Sequence, residues 1–293
     1  MRTSMLGAGC VAVAVAGVQA GWTARAHAQE FYLTSTNAVN SSTFHQSVYR
    51  YTLGSGSATL LHTWNLPQAF IADIESTPSG LYLHTVAPNH VAPNQLWTVH
   101  PETGVPTSIG PTGLNAIEGD LAWNPSTGRL HGAGGIDSAG FEATYAFNLA
   151  TGTATDVRSV LPEPLDLSGM TFDAQGRCWV IDSNLNGPTA ANLHELNPST
   201  GAILSTQALP LNLRVTLGLT TDFTTGVMYA ISGQGRIYTL DTSTASLTLV
   251  DQLPFPTGAL QYTGITARVI PSPSGLLALA GAAGLMGLRR RGR

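Results

Sequence analysis

Short runs in which apolar or aromatic residues alternate with polar ones recur along the chain, and each ends in a cluster of Asn, Pro, Ser, Thr and Gly. Alternation with period two predicts strands that bury one face, and the clusters predict tight turns. One unit covers residues 48–56, with Tyr49 and Tyr51 alternating before Gly54-Ser55-Gly56. It returns at residues 96–104, 144–152, 193–201 and 237–245, so its last position moves by 48, 48, 49 and 44 residues. A second unit keeps the same period. Its clearest copy runs from Asp120 through Trp123-Asn124-Pro125-Ser126-Thr127-Gly128 to Leu130, with relatives at 73–81, 170–179 and 219–229. A glycine precedes this unit at Gly119, Gly169, Gly218 and Gly264, and Ala72 fills the place in the first copy.

The turn chemistry sets the shape of each period. Proline fixes φ and glycine accepts positive φ, so Asn-Pro-Ser-Thr-Gly closes a hairpin. Each period then reads as an inner strand after the glycine, a hairpin, two further strands joined by another hairpin region, and a fourth strand such as 246–250. Four antiparallel strands every 45–50 residues is the pattern of a β-propeller blade. The third-strand unit occurs five times from residue 48, and the inner-strand unit five times from residue 72. The first third strand therefore lacks an inner strand before it, and the last inner strand, 262–269, lacks partners after it. Pairing them predicts an all-β, five-bladed β-propeller whose last blade is closed by both chain ends. An open β-solenoid, the alternative, would leave both ends unmatched.

The ends of the chain differ from this body. Residues 1–28 read as a helical signal peptide: Arg2, an apolar stretch over 5–20 that contains Cys10, and Ala26-His27-Ala28 before Gln29. Residues 29–270 form the propeller domain. Residues 271–293 begin with Pro271-Ser272-Pro273, continue as an apolar helix over 275–288, and stop at Arg289-Arg290-Arg291. That apolar run is shorter than the about 20 residues that span a bilayer comfortably. The arginines would keep its end on the cytoplasmic side. This three-part order resembles a PEP-CTERM-type sorting signal, with Pro-Ser-Pro where that family has Pro-Glu-Pro. The resemblance implies export, transient anchoring in the inner membrane, and processing by an exosortase-type sorting protease at the cell surface.

Charge narrows the partners. Only 10% of the 293 residues are charged, against about 25% in ordinary soluble proteins. The chain has no lysine, and residues 29–270 hold seven arginines against all 17 acidic residues, a net charge of −10. Nucleic acid is not an expected partner, because a basic face is missing. Cys178 is the one cysteine of the body, so no disulfide forms within it, and a small core residue is expected.

The candidate chemistry lies near the inner strands, which line the channel of a propeller. Asp73, Glu75, Glu118, Asp120 and Asp166 are the candidate catalytic carboxylates, with Asp73 and Asp120 at equivalent places in neighbouring blades. Paired carboxylates can act as acid and base or hold a cation; the plain alternative is a hydrogen-bonded, inert polar cluster. The segment 167–180, from Leu167-Ser168-Gly169 to Cys178-Trp179-Val180, resembles a blade of gluconolactonase-type propellers. That resemblance implies a divalent metal held by Glu, Asn and Asp. Glu118 matches the Glu, but Ser168, Leu217 and Thr263 do not supply the rest. Asp182, Asn184 and Asn186 match the first half of a calcium loop, D-x-N-x-N-G, a candidate Ca2+ site whose twelfth place is Leu193. The body's histidines lack metal-ligand spacing. Trp97, Trp123 and Trp179 are expected in blade cores, and Trp64 in an exposed loop.

These features favour an exported cell-surface or extracellular-matrix propeller that binds a glycan or a surface protein, or fills the matrix, without catalysis. The alternative is an extracellular glycosidase- or lactonase-like hydrolase that uses the inner-strand carboxylates.

Overall fold

The computed structural model describes residues 29–40, 43–67, 69–87, 93–136, 141–161, 165–183, 191–210, 217–254 and 261–269. Residues 1–28 and 271–293, read from the sequence as signal-like and sorting-like, lie outside them, as do Asn184 and Asn186. Every regular element among the described residues is a strand, and the strands form five antiparallel four-stranded sheets. Blade 1 contains β1 (Glu30–Asn40), β2 (Thr43–Thr52) and β3 (Ala58–Pro67). Blade 2 contains β4 (Phe70–Thr77), β5 (Gly80–Val86), β6 (Gln95–Val99) and β7 (Pro106–Pro111). Blade 3 contains β8 (Asp120–Asn124), β9 (Arg129–Ile136), β10 (Phe141–Phe147) and β11 (Ala154–Ser159). Blade 4 contains β12 (Leu167–Phe172), β13 (Cys178–Asp182), β14 (Asn192–Asn197) and β15 (Ala202–Ala208). Blade 5 contains β16 (Leu217–Asp222), β17 (Val227–Ser232), β18 (Arg236–Asp241) and β19 (Ser246–Gln252), and the last strand is β20 (Gln261–Ala267).

β20 pairs with β1, which makes the order in blade 1 β20-β1-β2-β3. The inner strands β4, β8, β12, β16 and β20 each contact the next, and β20 contacts β4, so the ring closes. Closure by both ends is therefore borne out, and the open solenoid is excluded. Arg268, just past β20, completes the seam: its backbone N–H donates to Glu30 O at 2.8 Å and its guanidinium pairs with Glu30 at 2.5 Å.

The hydrophobic core lies between blades, with a cluster at each interface and a second, smaller one of Ala72, Val86 and Ala116 between blades 2 and 3. Phe31, Tyr51, Tyr229 and Tyr262 join blades 5 and 1, while Ile71, Leu83 and Val48 join blades 1 and 2. Leu96, Leu121, Tyr145 and Phe147 join blades 2 and 3; Phe172, Met170 and Ala133 join blades 3 and 4; and Trp179, Leu219 and Met228 join blades 4 and 5. Strands such as β4, β5 and β13 are buried along nearly their whole length, because a blade meets a neighbour on each side, whereas the outer strand β11 is mostly exposed. Cys178 is buried, as its surroundings in the sequence imply. Trp97 and Trp123 pack half-buried against these clusters. Trp64 corrects the expectation of an exposed loop. It lies on β3, half-buried against the blade 1–2 cluster, with its ring 5.5 Å from that of His62. The residues before Pro67 stay in the ladder because β3 is an outer, edge strand, where proline is tolerated.

Candidate functional site

The five candidate carboxylates divide into two groups, along the channel wall and at its mouth. An inner strand pairs with its own blade on one side only. Its free edge leaves amide donors that a buried channel cannot leave unmet. The wall carboxylates meet them. Asp73 Oδ2, on β4, accepts the Leu121 N–H of β8 at 2.9 Å, and Asp120 Oδ2, on β8, accepts the Met170 N–H of β12. Glu75 Oε1 accepts the Trp123 N–H at 3.0 Å, and its Oε2 accepts the Thr266 hydroxyl at 2.8 Å. Threonines continue the belt where the later blades carry no acid. Thr266 accepts the Ser76 N–H at 2.9 Å, Thr220 accepts the Ala267 N–H at 2.9 Å, and the hydroxyls of Thr171 and Thr221 lie 2.9 Å apart.

These carboxylates are almost fully buried, which penalises their charged forms. Burial pushes Glu75 up to about 8. Burial likewise raises Asp120 to about 6, and raises Asp73 further because Asp120 lies beside it. The two aspartate side chains interact and share a proton, with Asp73, the more strongly raised of the two, as its holder. Gly264 makes the room. A Cβ there would sit 2.0 Å from Asp73 Oδ1, which explains why this place in the repeat is a glycine.

The mouth lies where the inner strands begin. A cavity of about 160 Å3 there is lined by Ala72, Glu118, Asp166, Ser168 and Thr263, among others. Glu118 is half-buried, and burial followed by the negative charge of Asp166 pushes it up to about 7. Asp166 is held firmly. Its carboxylate accepts the Ser183 hydroxyl at 2.7 Å, its backbone N–H donates to Asp182 Oδ1 at 3.0 Å, and its carbonyl accepts the Ser183 N–H at 2.8 Å. Asp182 therefore supports the mouth from the end of β13. It also lies 3.8 Å from His194 Nε2.

Glu142, on β10, joins this group, and the sequence reading did not single it out. Oxygens of Glu118, Glu142 and Asp166 all lie within 4.8 Å of one another, a spacing that one divalent cation could bridge. Gly135 faces two of them, and a Cβ on it would stand 3.0 Å from Glu118 Oε1 and 3.4 Å from Glu142 Oε1. A signal for Glu142 does exist. Gln46, Asn94 and Glu142 stand 48 and 48 residues apart. The blade register matches this spacing: Asn94, Glu142, Ala191 and Gly235 each accept a backbone N–H from the outer strand's end, at 2.8 Å. Gln46 accepts the Ile71 N–H at 3.0 Å, and Asn94 donates to Ala116 O at 2.8 Å, so both tie their blade to the next at the mouth. In blade 3 this position carries a carboxylate instead of an amide. The histidines do not enter the group. His84 is buried beside the Tyr145 and Phe147 rings, and burial lowers it to about 3.

No protein-family model and no curated protein matches the chain. Distant structural likenesses to β-propellers do exist. TolB from Acinetobacter baumannii aligns at TM-score 0.44 and 12% identity, covering 78% of this chain and 54% of its own. A structural-genomics protein from Bacteroides thetaiotaomicron aligns at 0.44 and 15%, covering 76% and 58%. A 6-phosphogluconolactonase-like protein from Bacteroides fragilis aligns at 0.43 and 13%, covering 79% and 69%. The chain thus spans little more than half the length of the first two.

Proposed function

We propose that the chain is an exported cell-surface or extracellular-matrix propeller that binds its ligand, without transforming it, at the channel mouth of Glu118, Glu142 and Asp166. One observation carries this reading. Asp73, Glu75 and Asp120 are engaged by donors of the neighbouring blades, whereas Glu118 and Asp166 border a cavity. Firmly held carboxylates accept ligand hydroxyls well, so a hydroxyl-rich glycan, alone or through a bridging Ca2+, suits the mouth. A surface protein offering a basic side chain is the other partner of this chemistry. The signal-like residues 1–28 and the sorting-like residues 271–293 support export, transient anchoring in the inner membrane and processing by an exosortase-type protease.

Thermal unfolding of the full chain tests the reading, with calcium chloride and a panel of neutral oligosaccharides as probes. A ligand that binds only the folded state raises the melting temperature. A rise that Glu118→Gln removes is expected; a rise that survives Glu118→Gln would contradict the proposed place of binding. A second reading, an extracellular hydrolase, draws on the position of Glu118, raised to about 7 beside Asp166. A general acid requires a carboxyl raised in this way. Product formation in the same tubes, lost in Glu118→Gln, would favour it over simple binding.

A further inference from the structure

The blades carry a second cavity at the end opposite the mouth. The hairpin between Asn124 and Arg129 and the hairpin of blade 4 around Ser199 both lie there, because the inner strands run away from the mouth. The cavity measures about 270 Å3 and is lined by Arg129, His131, Tyr145, Asp156, Arg158 and Ser199, between blades 3 and 4. Two of the seven arginines in residues 29–270 meet here, in a body whose net charge is −10. One acid, Asp156, accompanies them, so the cavity wall is net positive.

The donors are only partly used. Arg129 Nη2 donates to Asp156 Oδ2 at 2.7 Å and to Thr155 Oγ1 at 3.2 Å. Arg158 Nε donates to Ser199 O at 3.2 Å and Nη1 donates to Val157 O at 3.0 Å. Arg129 Nε and Nη1 and Arg158 Nη2 have no partner among the described residues. The contact to Ser199 ties the Arg158 fork to blade 4, which lowers the entropy cost of engaging a ligand. His131 closes the inner wall of the cavity, its ring 5.1 Å from that of Phe172. The residue is only 7% exposed, and its Nε2 is buried with no partner.

We infer that this cavity between blades 3 and 4 binds a small carboxylate-bearing ligand of monosaccharide size, such as a hexuronic acid. Arg158 and Arg129 would hold the carboxylate. The fork of an arginine matches a planar carboxylate, and charge-assisted bonds of this kind are about twice as strong as neutral ones. The volume lies just under the about 300 Å3 at which sites for drug-sized ligands begin, which fits a single sugar ring. Burial, and then Arg129, lower His131 to about 4, so near pH 7 the ring adds no charge to the cavity wall. This inference does not rest on the proposed role of the mouth, which lies at the other end of the channel.

Calorimetric titration of the full chain with sodium galacturonate and with galactose tests it. Galacturonate should bind and galactose should not. Arg158→Gln, a change at an exposed side chain that the fold tolerates, should weaken galacturonate at least tenfold. Glu118→Gln at the mouth, at the other end of the channel, should leave it unchanged. Three results would overturn the inference: no binding of galacturonate by the unaltered protein, equal binding of galactose, or undiminished binding in Arg158→Gln. Loss of galacturonate binding in Glu118→Gln, with Arg158→Gln unaffected, would move the ligand to the mouth and also overturn it.

Discussion

Asp73 of blade 2 accepts the backbone N–H of Leu121 in blade 3 at 2.9 Å, across a seam that no β-ladder bridges. The bond joins a side chain read as a candidate for chemistry to the backbone of the next inner strand. It makes a direct prediction about substitution. Asp73→Asn keeps an acceptor for Leu121 and a donor for Asp120, so melting should change little. Asp73→Ala removes one of the two carboxylate acceptors of the Leu121 N–H, leaving Asp120 Oδ1 at 3.0 Å, and takes away the side chain beside Asp120, so it should cost about 1–3 kcal/mol. Urea unfolding of both variants checks this, and equal losses in the two would contradict the shared proton.

Gly264 and Asp73 should behave as one unit. Gly264→Ala places a methyl 2.0 Å from Asp73 Oδ1 and should destabilise the fold by roughly 1–3 kcal/mol, as overpacking does. In the double variant Gly264→Ala with Asp73→Ala the 2.0 Å clash is gone, and the next neighbour is Thr34 Oγ1 at 2.9 Å. The combined loss should therefore fall short of the sum of the single losses, by more than about 0.5 kcal/mol. Strict additivity would show that the two groups do not meet.

The buried acids predict an unusual pH dependence. Glu75 is raised to about 8, Glu118 to about 7, Asp120 to about 6, and Asp73 is raised as well. A carboxyl whose folded pKa exceeds its unfolded value contributes stability that is complete below the unfolded pKa. That stability is lost as pH rises through the folded pKa, because the folded state then holds more protons than the unfolded one. His84 and His131, lowered to about 3 and about 4, act in the opposite sense, but only below their unfolded value near 6.5. Stability should therefore fall between pH 6.5 and pH 8, by about 1.4 kcal/mol per pH unit for each proton still held. Urea midpoints across that window check the slope. Glu75→Gln should flatten it by the share of one proton; a midpoint that rises with pH would contradict the burial of these acids.

The strap formed by β20 should be indispensable, unlike its ion pair. Ending the chain before Gln261 removes the inner strand of blade 1 and bares the edge of β1, so the truncated protein should aggregate or fail to melt cooperatively. Arg268→Ala removes partly exposed pairs with Glu30 and Glu102 and should cost only about 0.5 kcal/mol. Scattering and calorimetry separate the two outcomes.

The architecture was legible because the repeat carries it twice. Thr103-Gly104, Thr151-Gly152 and Thr200-Gly201 mark hairpins, and each of these glycines has positive φ. The displaced counts of third and inner strands pointed to closure, which the pairing of β20 with β1 supplies. β1 itself was less legible, since residues 30–40 match neither unit. The split of the acids into wall and mouth was not readable either. Glu118 and Asp120 stand two residues apart, yet one borders a cavity and the other meets Met170. Alternation says which face a residue takes, but not how far along the channel it lies or which neighbouring amide needs it. Trp64 was misplaced for a related reason, since a nearby proline suggests a loop but an edge strand tolerates it.

The central claim is that wall acids stitch the blades and mouth acids meet the ligand. Melting temperatures of Asp120→Ala and Glu118→Gln, each with and without the calcium or oligosaccharide probe that stabilises the unaltered protein, test it most directly. The account predicts that Asp120→Ala melts several degrees lower but keeps the probe-induced rise, whereas Glu118→Gln melts near the unaltered protein and loses the rise. The reverse pattern, a stable Asp120→Ala that no longer responds and a responsive Glu118→Gln, would contradict it.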